Sequence, residues 1–129
     1  MKHKIDAELI SSFEQSAAVI TSTTGFKPTR EGISGAESFF RNEAASIAAL
    51  SDDSLKQLTL SLGAFLAQGL INEMGAIWVK HKGHFAIRIH SYFVFPFSKA
   101  KKFLTDKDQT ESLTSFFELP EHQEEEHSE

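Results

Sequence analysis

Between Ser61 and Val79 the chain reads SLGAFLAQGLINEMGAIWV, and at Gly75 the spacing of apolar residues changes from a helical period to a strand period. Leu62, Phe65, Leu66 and Leu70 recur at helical intervals with Gly63, Ala64, Ala67 and Gly69 among them. Glycine inside a helix costs about 1 kcal/mol relative to alanine, so two in one run point to close approach by a neighbouring element. Ser51 is a good N-cap, and Asp52 and Asp53 suit the positive end of a helix, so the core helix is expected over about Asp52–Glu73. Leu50 and Leu55 flank that cap at the positions of a hydrophobic staple.

After Gly75, strands are expected at Ala76–His81, His84–His90 and Ser91–Phe95, with Lys82 and Gly83 as the first turn. Phe85, Ile87 and Ile89 fall on one face, and Ala86, Arg88 and His90 on the other. Connections this short allow only an antiparallel meander. Pro96 has no N–H to donate and ends the third strand.

Helical periodicity also places a first helix at about Asp6–Ile20, with Ile5, Leu9, Phe13, Ala17 and Ile20 as its stripe. Thr21–Gly32 reads as a loop, pinned by Phe26. A capping box at Ser34 and Glu37 starts a second helix running to about Leu50. Ser98 caps a short helix from Lys99 to about Leu104, and Gln109–Phe117 is a last helix bringing in Leu113, Phe116 and Phe117. The fold class is therefore α+β: N-terminal helices packed on a three-stranded antiparallel meander, followed by short C-terminal helices.

A chain of 129 residues, 40% hydrophobic and with twelve phenylalanines, suits one core, expected over residues 1–117. Residues 118–129, with Glu118, Glu121, Glu124, Glu125, Glu126 and Glu129 and no base, read as a disordered acidic tail. No cysteine is present, which excludes a disulfide framework and favours a reducing compartment. Polar residues interrupt the N-terminal sequence, which does not read as a signal peptide, and no apolar run is long enough to cross a bilayer. The expected setting is cytoplasmic, with no membrane partner.

Charge is unevenly distributed about the net of −5. From Lys80 to Lys107 the bases Lys80, Lys82, Arg88, Lys99, Lys101, Lys102 and Lys107 face only Asp106, and the acidic tail follows. Trp78, Tyr92, Phe93 and Phe95 interleave with these bases, a pattern shared with nucleic-acid stacking platforms. Alternating phenylalanines more often build a core, and the chain as a whole is acidic, so nucleic acid is not the expected partner. His81 and His84 flank a tight turn and could face one metal ion, but no cysteine or adjacent carboxylate completes a ligand set. No metal site or cofactor is expected. The sequence holds no nucleophile elbow and no phosphate-binding glycine loop.

The segments LGAFLAQGLINEMGAIWV, FPFSKAKKF and the SLTSFF region from Asp108 to Phe117 resemble a family of small, uncharacterised bacterial proteins. That family has a helix of LGAFLG-E type, a GG-x-W strand, an FPF-x-K motif and a D-S-I/V motif. The likeness spans about Leu62 to Phe117, and Trp78, Phe95, Pro96, Phe97 and Lys99 carry most of it. This chain departs at Ala67 and Gln68, where the family has glycine and glutamate, and at Ala76, where it has a second glycine. Proteins of this kind resemble those found beside bacterial toxins as immunity proteins.

The resemblance implies a non-enzymatic protein-binding module, an immunity protein that occludes the active site of a cognate toxin. In that reading Glu121, Glu124, Glu125 and Glu126 pair with a basic cleft of the toxin. The alternative is a small enzyme or anionic-ligand-binding domain that uses the basic aromatic meander face, with Trp78, Arg88, His90 and Lys99 as its ligand-binding set. The sequence leaves the oligomeric state open.

Overall fold

In the computed structural model the described residues are 6–106, 108 and 111–117. The element order is α1 (Ala7–Thr24), α2 (Arg30–Asn42), α3 (Ala44–Ala48), α4 (Asp52–Met74), β1 (Ile77–His81), β2 (His84–Ile89), β3 (Tyr92–Val94), α5 (Pro96–Thr105) and a 3-10 helix at Thr114–Phe117. This is the expected α+β arrangement, with helices before and after a three-stranded antiparallel sheet ordered β1-β2-β3.

The core helix begins and ends as its sequence requires. The Ser51 hydroxyl accepts from the Ser54 N–H at 3.2 Å. Gly75 adopts φ 67° and returns its N–H to the Ile71 carbonyl, a left-handed stop that a side chain would strain. Every residue from Leu62 to Ala67 is buried, because α1 and α5 both pack along this helix. Gly63 is the point of closest approach: a Cβ there would lie 2.4 Å from Cδ1 of Phe97 and 3.0 Å from its Cα.

The sheet separates two apolar faces. Trp78 pairs with Ile87, and Ile87 with Val94, on the face that meets the helices. There the Trp78 ring lies 4.4 Å from the Phe13 ring and 5.8 Å from that of Phe97. On the other face Val79 pairs with Ala86, and the His81 ring stacks on Phe93 at 3.8 Å. Ala86 lies on β2, the strand between the two that carry these rings. Lys82 and Gly83 both have positive φ, which matches the twist of a tight hairpin turn.

Four expectations about element boundaries are corrected. Helix α1 runs through the threonines to Thr24, whose hydroxyl donates to the Ile20 carbonyl at 2.8 Å before Gly25 stops the helix at φ 83°. Thr29, not Ser34, caps α2, accepting from the Gly32 N–H at 3.0 Å. The expected continuous second helix breaks at Glu43 into α2 and α3. Helix α5 starts at Pro96 rather than at Lys99, because proline lacks only an N–H that the first turn leaves unused.

Of the expected helix over Gln109–Phe117, the described residues 111–117 form only the 3-10 turn at Thr114–Phe117, and Leu113 is fully buried. Phe26 does hold its loop, since its ring lies where a Cβ on Gly35 would have to go. Two further bonds tie this loop to α4. The Asn72 side chain donates to the Pro28 carbonyl at 3.0 Å, and the Arg30 N–H donates to Glu73 at 3.1 Å. The expected acidic tail lies outside the described residues.

Candidate functional site: an apolar cleft beside a charged clamp

Glu37 and Arg41 stand one turn apart on α2 and pair at 3.1 Å. The other oxygen of Glu37 accepts from the backbone N–H groups of Leu113 at 2.7 Å and Thr114 at 3.3 Å, and from the Ser112 hydroxyl at 3.2 Å. A carboxylate suits this position, because the start of the 3-10 helix presents N–H groups with no partner inside the helix. Arg41 also donates to the Glu111 carbonyl, and its guanidinium lies 5.7 Å from the centre of the Phe103 ring.

A second ion pair closes on the same segment from α5. The Lys99 ammonium lies 2.9 Å from the Glu111 carboxylate and 3.4 Å from the Ser115 hydroxyl. The Lys99 side chain is 14% exposed and that of Glu111 35%, so this pair is partly desolvated and removing one partner would leave the other charge less well solvated. The Glu111 N–H donates to Asp106 at 2.6 Å. The FPFSK and SLTSFF motifs thus meet in one clamp, which seats residues 111–115 against α2 and α5 and buries Leu113.

Beside the clamp is a cleft of about 330 Å³ between the end of α2, α3, the first turn of α4 and the end of α5. Phe40, Ile47, Leu50, Leu55, Phe103 and Leu104 supply its apolar lining, and Leu50 remains 38% exposed. Arg41, Asp52 and Asp106 are its charged members. Arg41 pairs with Glu37 and Asp106 accepts from the Asp108 and Glu111 N–H groups, so the cleft is lined by two carboxylates and one guanidinium. Such a shape takes up an apolar group and favours a cation beside it.

The structure disperses the alternative ligand-binding set. Trp78 is buried against Phe13 and Phe97, whereas Arg88 pairs with Ile77 on the opposite face of the sheet. His90 is an exposed turn residue at φ 57°, and Lys99 belongs to the clamp. Glu121, Glu124, Glu125 and Glu126 lie outside the described residues. His81 and His84 are direct cross-strand partners, but His81 is engaged with Phe93. Among the described residues no group of three His, Cys, Asp or Glu side chains could hold a metal ion.

Sequence reasoning missed the cleft. In sequence Ile47 reads as part of a helical stripe, and Leu50 and Leu55 as a staple, so local roles account for their apolar surface. The available signal is the i, i+4 spacing of Glu37 and Arg41, each directly after a buried apolar residue, Ala36 and Phe40, which marks a charged pair set beside a packed helix face. Among the described residues no helix is long and apolar enough to cross a membrane. Comparison with known proteins gave no match to a family model, to a curated protein or to a solved structure.

Proposed function

We propose that the chain is a non-enzymatic protein-binding module whose α2–α3–α4–α5 cleft receives an apolar side chain from a basic segment of a partner protein. The observation that carries this reading is the cleft itself, an apolar lining with Asp52 and Asp106 at its rim. An apolar anchor in a pocket supplies affinity, and complementary charge around it supplies orientation and association rate. The net charge of −5 and the glutamates beyond residue 117 attract the same kind of partner. The resemblance to toxin-associated proteins gives the proposal its most specific form, a cytoplasmic immunity protein that covers the basic active site of a toxin.

Peptide binding tests the proposal. The probe is an amphipathic helix built from leucine and lysine, compared with a leucine–glutamate version of the same pattern. The protein should bind the basic peptide and not the acidic one. Ala48→Phe places a ring in the cleft from an exposed helix position while leaving the acidic residues in place. Burying one leucine-sized anchor is worth about 1.5–3 kcal/mol, so the filled cleft should lose about tenfold or more in affinity. Equal binding by the parent chain and Ala48→Phe would reject the cleft as the docking site.

A further inference from the structure

The cleft and the clamp share two side chains. Arg41 lines the cleft and donates to the carbonyl of Glu111, while Asp106 lines it and accepts from the N–H of the same residue. Both backbone polar groups of Glu111 are thus held by residues of the cleft wall. We infer that seating of residues 111–115 controls the cleft, so that the seated segment and an occupant of the cleft stabilise each other. The inference rests on the reading of the cleft as a docking site, and it adds a regulatory element to that site.

The seated form buries Leu113 completely and satisfies the Leu113 and Thr114 N–H groups through Glu37. When the segment lifts, Arg41 loses the Glu111 carbonyl and Asp106 loses the Glu111 N–H. Arg41 keeps its pair with Glu37 on α2 but loses its tie to Glu111, so the part of the cleft wall that Arg41 and Asp106 form is held less firmly in place. An occupant packed along Arg41 and Phe103 favours the seated arrangement.

Linkage requires the effect to be reciprocal. In the full chain, saturation with the leucine–lysine peptide should slow hydrogen exchange at the Leu113 and Thr114 amides by about tenfold, within the usual range of coupling between sites. Lys99→Gln removes the clamp ion pair from a residue that does not line the cleft, and it should weaken peptide binding several-fold while speeding exchange at those amides. Glu37→Gln, which weakens the other half of the clamp, should do the same and serves if the first variant folds poorly. Faster exchange at Leu113 and Thr114 with unchanged peptide affinity would overturn the coupling and leave the docking site standing. Failure of the peptide to bind the parent chain at all would overturn both.

Discussion

Gly63→Ala separates two opposing expectations with one methyl group. By helix propensity alone, alanine in the interior of α4 should stabilise the protein by about 1 kcal/mol. The structure reverses the sign, because the new Cβ would lie 2.4 Å from the Phe97 ring and 3.0 Å from the Phe97 Cα. The ring edge can rotate, but the Cα can withdraw only if the start of α5 moves. Overpacking of this kind costs about 1–3 kcal/mol, which leaves a net loss of about 1 kcal/mol. The single tryptophan, Trp78, stacks on Phe97 and reports the change directly. Urea unfolding followed by its fluorescence should show a lower midpoint with an unchanged slope. In a Phe97→Ala background the ring clash is absent while the 3.0 Å approach to the Cα remains, so the same Gly63→Ala change should cost less than in the parent chain, with an interaction energy of about 1 kcal/mol. A stabilisation of about 1 kcal/mol in the parent chain would refute close packing of α5 on α4 at this point.

Other substitutions test the remaining contacts. Gly32→Ala should cost more than about 2 kcal/mol, since its Cβ would lie 1.7 Å from the backbone carbonyl oxygen of Lys27, whereas Gly35→Ala meets only the partly exposed Phe26 ring and should cost less than about 1 kcal/mol. Thermal or urea unfolding distinguishes them, and equal costs would contradict the described path of the loop. Leu113→Ala should lower stability by about 2–5 kcal/mol because the side chain is fully buried, and a loss below about 0.5 kcal/mol would show that the clamped segment is not seated. Thr29→Ala should cost about 1 kcal/mol as the loss of a helix cap, while Ser34→Ala, inside α2 and exposed, should be close to neutral. The reverse order would restore Ser34 as the cap.

The architecture was legible where local chemistry and hydrophobic period agree. Ser51 and Gly75 bracket α4 as a serine cap and a left-handed stop should, and the Lys82–Gly83 turn sets the register that places Trp78 opposite Ile87. Boundaries failed where tertiary contacts decide. Thr21–Thr24 have weak helix propensity, yet they continue α1 alongside α4. Glu37 fits a capping box by spacing, but its carboxylate serves amides 76 and 77 residues further along the chain. That partnership leaves no local trace in sequence. The cleft was hidden for a related reason: its apolar residues come from four helices and the α3–α4 connection, and each fits an ordinary core role within its own segment. Trp78 and Arg88 read as members of one polar and aromatic set on the meander, whereas strand alternation places them on opposite faces.

The most direct measurement of the central claim is a map of backbone amide shifts during titration of the isotopically labelled chain with the leucine–lysine peptide. The account predicts that the largest changes fall at Ala44, Ile47, Ala48, Leu55, Phe103 and Leu104, around the cleft, and that they vanish in Ala48→Phe. Shifts confined to the glutamates of residues 118–129, or centred on Arg88 and Phe93 of the sheet, with the cleft amides unmoved, would contradict it.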